Sequence, residues 1–332
     1  MLDFSTHDLD AAELRRKALA VAGEVTKVIK GKDEVIAKVL LAVFARGHVL
    51  LEDVPGVGKT TMVVALAAAM RLDYRRIQFT PEVMPADVVG YSLYDRQAGT
   101  LTYQPGAALC NLLLVDEINR ASSKTQSSLL QAMEENAVTV DGQTHRIDPP
   151  YTVIATQNPV GSAGTQLLPE SQLDRFMVRL SLGYPGIDDE VAILKRPQGE
   201  DALRSVRQVA DVSDVLLIQR QVEAVYVDED LYRYIARLAA ATREEPLLQT
   251  GASPRASLSL LQMARAAAWL AGRDYVVPKD VEAILFDVLE HRLSVGSQAL
   301  VSDKTVHGIL RDIVQATPRP QILREGYGGK KA

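Results

Sequence analysis

The sequence contains a single cysteine, Cys110, in 332 residues, which excludes an internal disulfide bond. It also lacks a long apolar segment, because its longest uninterrupted run, residues 62–70, is far shorter than the roughly 20 residues that span a bilayer. The first residues lack the basic stretch followed by an apolar one that marks a secretory signal. We therefore expect a cytoplasmic protein without membrane insertion, in which Cys110 packs beside a buried strand.

An excess of basic residues is absent as well. The chain has 37 Lys and Arg against 42 Asp and Glu, which gives a net charge of −5. Proteins that bind nucleic acid usually present a basic face, so this balance disfavours a nucleic-acid partner. The hydrophobic content of 47% is too high for a disordered chain, and the length permits about two domains.

A glycine-rich loop lies between a short apolar run and a helical stretch. Its residues are Asp53, Val54, Pro55, Gly56, Val57, Gly58, Lys59, Thr60 and Thr61. Gly56 and Gly58 allow the backbone to turn its N–H groups towards an anion, and the helix start adds partial positive charge. Lys59 would contact the β- and γ-phosphates of a nucleotide, and Thr60 offers a hydroxyl to Mg²⁺. The usual pattern G-x-x-x-x-G-K-[ST] has glycine where this chain has Asp53, but the remaining residues still predict a phosphate-binding loop.

A second motif is a fully apolar run, residues 112–115, that is followed by Asp116 and Glu117. In a parallel sheet the carboxyl ends of the strands lie at the ligand-binding edge, where the phosphate loop also lies. Asp116 would then hold Mg²⁺, directly or through water, and Glu117 would polarise the attacking water. A kinase that acts on a small molecule stays open on these two motifs, although Glu117 favours water as the nucleophile.

The hydrophobic pattern predicts an α/β domain followed by a helical one. Predicted strands lie at or within residues 49–51, 74–80, 112–115, 151–156 and 177–182. These runs lack polar alternation, which is typical of a parallel sheet covered by helices on both faces. Segments 90–104 and 137–147 are predicted β-hairpins, and the second has an Asp-Gly turn signal.

The change in pattern after this α/β region sets the predicted domain boundaries. N-terminal helices and the α/β core occupy residues 1–185, and a helical domain occupies residues 186–325. The glycine- and lysine-rich tail, residues 326–332, is predicted to be disordered.

In combination, these motifs make the chain resemble a MoxR-type AAA+ ATPase of the helix-2-insert clade. The matching stretches are residues 52–60, 78–82, 116–120, 124–126, 155–159, 168–176 and 251–256. They occur in the order of the family and span nearly the whole chain. The resemblance implies an AAA+ P-loop core with a parallel five-stranded sheet and two β-hairpin insertions, followed by an all-helical lid domain. It also implies an ATPase that uses Mg²⁺.

The resemblance assigns roles to several polar residues. Asn158 is similar to the sensor 1 residue, which would hold the attacking water together with Glu117. Arg175 resembles the arginine finger that reaches the γ-phosphate in the neighbouring subunit. Arg120 and Arg179 are the two other arginines that could take this role.

Two further regions are expected to contact the nucleotide. Arg255 resembles the sensor 2 arginine, which would touch the phosphates bound by its own subunit. Ile29 and Gly31 belong to a segment that resembles the one that packs on adenine.

An arginine supplied by a neighbour implies a homo-oligomeric ring, most simply a hexamer. The family resemblance implies that the ring remodels, matures or activates a protein client, often with a von Willebrand factor A partner. Two alternatives stay open at this point. One is an ATP-dependent scaffold with little turnover, and the other is a chelatase-type motor subunit of the same clade.

Overall fold

The computed structural model describes residues 10–96, 99–158, 168–195, 202–297, 299 and 303–321. The chain forms two compact units, Met1–Gln221 and Val222–Ala332. The predicted tail and the final proline of the stretch at residues 155–159 lie outside the described residues. The domain boundary after residue 185 stays a prediction from the sequence.

The first unit contains helices on both sides of a central sheet in the chain order of an α/β protein. Its helices are α1 (Ala11–Val28), α2 (Asp33–Phe44), α3 (Lys59–Met70), α4 (Pro85–Val89), α5 (Ser123–Glu135), α6 (Glu170–Leu173) and α7 (Ile187–Leu194). Its strands are β1 (Val49–Glu52), β2 (Tyr74–Gln78), β3 (Gly90–Asp95), β4 (Thr100–Pro105), β5 (Leu112–Asp116), β6 (Ala137–Val140), β7 (Gln143–Arg146), β8 (Thr152–Gln157) and β9 (Val178–Leu180). Helix α8 (Val212–Glu223) contains the boundary between the two units.

The central sheet has five parallel strands in the order β2-β5-β8-β1-β9, which confirms the sequence prediction. Every residue of β5 is buried, in agreement with its uninterrupted apolar run. Burying such a Leu or Val side chain contributes about 1.5–3 kcal/mol to the free energy of folding, so the buried middle strands stabilise the sheet. Because the strands are parallel, the residues that follow β1, β5 and β8 lie at one edge.

The two predicted hairpins are present as the pairs β3–β4 and β6–β7. Asp141 and Gly142 have φ angles of 50° and 78°, which is the left-handed turn that their sequence predicts. The ring of Tyr103 on β4 stacks on His145 of β7, with centroids 3.7 Å apart. The two hairpins therefore pack against each other.

The described residues of the second unit are mostly helical, with one small sheet and an isolated bridge between Tyr226 and Tyr275. The unit contains α9 (Glu229–Glu244), α10 (Pro254–Leu270), α11 (Pro278–Leu289) and α12 (Val306–Ala316), with strands β10 (Leu248–Thr250) and β11 (Ser294–Val295) paired antiparallel. Side chains of Asp228, Ser253 and Thr305 cap the starts of three of these helices. No helix in the described part of the chain is long and apolar enough to cross a membrane.

Candidate active site

The glycine-rich loop joins β1 to α3 at the carboxyl edge of the sheet. Gly56 and Gly58 have φ angles of 88° and 96°, a region in which residues with a Cβ are strained. Lys59 opens α3, and its Nζ donates to the carbonyl oxygens of Asp53 at 2.7 Å and Val54 at 3.1 Å. The lysine charge therefore lies over the loop, at the start of a helix whose first N–H groups can bind an anion.

The charge of Lys59 is balanced by acids around the loop. Burial lowers the pKa of Lys59, while the charges of Asp53, Asp116 and Glu117 oppose that shift. The loop and the two carboxylates that follow β5 thus form one electrostatic site. The other predicted members of the loop occupy its turn and the first turn of α3, namely Pro55, Val57, Thr60 and Thr61.

Asp53 explains how the loop tolerates a residue other than glycine at its first position. It is not among the residues with positive φ, so the backbone there does not require glycine. Its carboxylate accepts hydrogen bonds from Ser181 Oγ at 2.7 Å, Leu182 N at 2.7 Å and Gly183 N at 2.9 Å. The side chain therefore binds the segment that follows β9.

Asp116 is the last residue of β5 and Glu117 follows it, at the same edge of the sheet as the loop. Asp116 Oδ2 accepts from Arg76 Nε at 2.7 Å, and its Oδ1 accepts from Thr156 Oγ1 at 3.3 Å. The same Thr156 hydroxyl accepts from the backbone N–H of Glu117 at 3.0 Å. Glu117 has a φ of 55°, an uncommon conformation for a residue with a side chain, and such strain is concentrated at functional sites.

The carboxylate of Glu117 accepts hydrogen bonds from three side chains. The donors are Gln78 Nε2 at 3.0 Å, Arg120 Nη1 at 2.8 Å and Asn158 Nδ2 at 3.1 Å. Burial by itself raises the pKa of Glu117, but the hydrogen bonds from Arg120, Asn158 and Gln78 and the charge of Arg120 outweigh it, so the pKa lies below its ordinary value. Glu117 is therefore ionised at neutral pH and can orient and polarise a water molecule.

Sequence analysis missed Arg76 as a contributor and assigned no role to Gln78. The two residues are two positions apart on the edge strand β2, so their side chains point to the same face of the sheet. Arg76 reaches Asp116, the last residue of the neighbouring strand β5, and Gln78 reaches Glu117, which follows that strand. The alternating Arg-x-Gln pattern was the only signal in the sequence, and its meaning depended on β2 lying next to β5.

The three arginines proposed from the sequence have different partners. Arg120 contacts Glu117, while Arg179 Nη1 lies 3.3 Å from Glu52 Oε2. Arg175 Nη2 lies 3.1 Å from Glu134 Oε2 on α5, and its Nη1 donates to the carbonyl of Ser171. Among these, Arg120 alone contacts a carboxylate that follows β5.

The predicted adenine segment lies beside the phosphate loop. Ile29 is buried immediately after α1, and its Cδ1 lies 3.1 Å from the position that a Cβ on Gly58 would occupy. Gly31 has a φ of 65°, and a Cβ there would fall 1.9 Å from Asp189 Oδ2 on α7. Arg255 belongs to the second unit, where it lies in the exposed first turn of α10.

The donors available at the site suit Mg²⁺ bound together with phosphates. Asp116 supplies a carboxylate and Thr60 a hydroxyl, which are oxygen ligands of the kind that Mg²⁺ prefers. Among the described residues, no group of three or more His, Cys, Asp or Glu side chains could hold a metal alone.

Comparison with known proteins places this site in a family. The model of the ATPase family associated with various cellular activities (AAA) matches residues 48–178, and that of the AAA lid domain matches residues 240–313. YeaC of Bacillus subtilis (strain 168) is 43% identical over 296 residues, covering 89% of this chain and 92% of that protein. Chaperone MoxR1 of Mycobacterium tuberculosis is 36% identical over 326 residues, covering 94% of this chain and 84% of that protein.

A solved structure gives the same result. The crystal structure of a candidate ATPase from Cytophaga hutchinsonii matches with a TM-score of 0.86 and 35% identity, covering 94% of this chain and 97% of that one. The predictions of the fold class and of an ATP-hydrolysing enzyme are therefore confirmed. The chain belongs to the MoxR family of AAA+ ATPases.

Proposed function

We propose that this ATPase works as a ring, most simply a hexamer, in which each ATP is hydrolysed by one subunit with an arginine from the next. The observation that carries the hydrolytic step is the environment of Glu117, whereas the ring and the arginine from the neighbour follow from the family resemblance. Its carboxylate lies in the electrostatic site of the phosphate loop and is held by Asn158, which follows a neighbouring strand. An ionised, fixed carboxylate suits the activation of water for attack on a bound phosphate.

In the proposed reaction, a water oxygen attacks the γ-phosphorus of ATP. The bond from that phosphorus to the bridging oxygen breaks, and ADP leaves with the electron pair of that bond. Glu117 accepts the water proton as the new bond forms, while Asn158 holds the carboxylate in place. Lys59 offsets charge on the β- and γ-phosphates. Mg²⁺, when held by Thr60, Asp116 and the phosphates, supplies further positive charge at the phosphate oxygens.

Arg175 is the arginine that we propose to act in the neighbouring site. Its pair with Glu134 is partly exposed, and pairs of this kind contribute only about 0–1 kcal/mol, so the guanidinium can exchange this partner for a phosphate. Arg120 instead binds the Glu117 of its own subunit. Arg255 is proposed to contact the phosphates from the lid of its own subunit.

Substitutions in the loop and at Glu117 test the site. Glu117→Gln should lower kcat by about 10²–10⁴ while ATP still binds, because the amide keeps the shape but cannot take a proton. Lys59→Ala should abolish nucleotide binding in a titration with labelled ADP. Undiminished turnover by the first variant, or unchanged affinity in the second, contradicts the assigned roles.

A mixing experiment tests the arginine from the neighbour. Arg175→Ala should lower turnover by roughly 10³–10⁵. Mixing this variant with Glu117→Gln subunits should restore activity, because each variant supplies the group that the other lacks. Arg120→Ala is the matched control, since its arginine serves the same subunit as Glu117 and mixing should restore nothing. A gain for Arg120→Ala, or none for Arg175→Ala, rejects the assignment.

The proposed client is a protein that the ring remodels or activates, with a von Willebrand factor A protein as the partner that the family resemblance suggests. The β3–β4 hairpin supports a protein contact because four large apolar side chains on it are exposed. They are Tyr91, Leu93, Tyr94 and Leu101. Proteins that co-elute with Glu117→Gln in ATP, but not with the same variant in the absence of nucleotide, would be the candidates. A cytoplasmic location stays a prediction.

A further inference from the structure

We propose that Asp53 is a positioning residue that links the phosphate loop to the strand following Arg175. The proposal rests on the phosphate-binding role of this loop in the proposed function. The general phosphate-loop motif has glycine at the position of Asp53, so by that motif alone the aspartate is only a departure from the pattern. The contacts of its side chain indicate instead that it has a task that glycine cannot perform.

The first step of the argument is the carboxylate itself. Asp53 is only 4% exposed, and the three hydrogen bonds that it accepts all come from residues 181–183. Two of the donors are backbone N–H groups, and hydrogen bonds to a charged acceptor are about twice as strong as neutral ones. Removing the carboxylate would leave the N–H groups of Leu182 and Gly183 without these bonds.

The second step is what residues 181–183 hold in place. They follow β9, a strand of three residues whose one partner among the described strands is β1. At the start of β9, the N–H of Met177 donates to the carbonyl of His48 at 2.8 Å. Asp53 therefore fixes one end of a short strand whose other end, Val178, lies three residues after Arg175.

The third step is the backbone of Asp53, which belongs to the phosphate loop. Its carbonyl oxygen accepts from Lys59 Nζ at 2.7 Å, and its N–H donates to the carbonyl of Gln157 at 3.3 Å. Gln157 immediately precedes Asn158. A single residue thus contacts the lysine of the loop, the strand that leads to Asn158 and the segment after β9.

The link has a consequence for nucleotide binding. When a bound phosphate draws Lys59 away from the carbonyl oxygen of Asp53, the backbone of Asp53 loses the hydrogen bond from Lys59 Nζ. The carboxylate passes that change to residues 181–183, and so to β9, the strand that follows Arg175. Nucleotide in one subunit would in this way adjust the arginine that the same subunit offers to its neighbour.

Asp53→Gly is the sharpest test because it removes only the side chain and restores the general loop pattern. We expect the affinity for ADP to change less than about threefold, because the backbone N–H groups and Lys59 remain. We expect kcat to fall about ten- to a hundredfold, the size of effect that a misplaced catalytic group produces. Hydrogen exchange of the full chain supplies the second measurement. ADP should slow exchange at residues 178–183 in the wild type but not in the variant.

Matched variants keep the test decisive. Asp73→Asn changes an exposed carboxylate at the opposite edge of the same sheet and should alter neither measurement. Asp53→Asn retains one acceptor oxygen and should give intermediate values, which also covers the case in which the glycine variant does not fold. Ser181→Ala removes one donor and should lower kcat by less than Asp53→Gly.

Three results overturn the proposal. They are an unchanged kcat in Asp53→Gly, equal slowing of exchange at residues 178–183 in that variant and the wild type, and loss of ADP binding in a folded Asp53→Gly protein. The last result would mean that the side chain of Asp53 contributes directly to phosphate binding. A failure of the proposed nucleotide site would show up in a different experiment, because Lys59→Ala would then retain its affinity for nucleotide.

Discussion

Acidification should destabilise this protein through His48, a buried histidine at the start of β1. Its Nδ1 accepts from the N–H of Val153 at 2.9 Å, and its Nε2 lies 3.1 Å from the carbonyl of Met133. The ring therefore carries its hydrogen on Nε2. A second hydrogen on Nδ1 would face the N–H of Val153, so protonation breaks this hydrogen bond.

The size of the effect follows from the pKa of His48. Burial lowers this pKa from 6.5 to about 4, and the hydrogen bond to Met133 opposes the shift only in part. Since the folded pKa is depressed, the stabilising contribution is complete above pH 6.5 and is lost as the pH falls towards 4. The difference corresponds to about 3 kcal/mol, a large share of the roughly 5–15 kcal/mol that stabilises a typical domain.

Chemical denaturation between pH 7.5 and 5 measures the part of this loss that falls above pH 5, about 2 kcal/mol. The free energy of unfolding should fall as the pH drops in the wild type, and His48→Gln should show a flatter dependence whatever its absolute stability. Glu34→Gln is the control, because its hydrogen bond and ion pair with Lys38 lower the pKa of Glu34 below 4.5, outside this pH range. An equal slope in the wild type and His48→Gln would refute the reasoning.

Two further predictions concern the same unit. Gly31→Ala should lower the melting temperature and weaken ADP binding, because a Cβ there would clash with Asp189 and the φ of 65° disfavours alanine. Gly23→Ala is the control: this residue lies inside α1 with nothing near its Cβ, so the substitution should stabilise the protein by roughly 0.5–1 kcal/mol. Cys110 should resist a thiol reagent at pH 8 until the protein unfolds, because burial raises its pKa to about 12; rapid labelling of the folded protein would contradict this.

Local patterns were sufficient to predict most elements of the first unit. Apolar runs without alternation predicted buried parallel strands, and Asp-Gly predicted the turn between β6 and β7. Gly56 and Gly58 predicted a loop that can turn its N–H groups towards an anion, and both residues have positive φ. These features depend on a few neighbouring residues, so the sequence carries them directly.

The sequence by itself determined which groups are available for chemistry: a lysine at a helix start, two carboxylates after a buried strand and several arginines. Only the tertiary structure decided their partners. Arg76 reaches Asp116 because β2 lies next to β5, and Asp53 reaches Ser181, 128 residues away, because β9 lies next to β1. The order of strands in a sheet arises from the packing of the whole domain, and no local pattern encodes it.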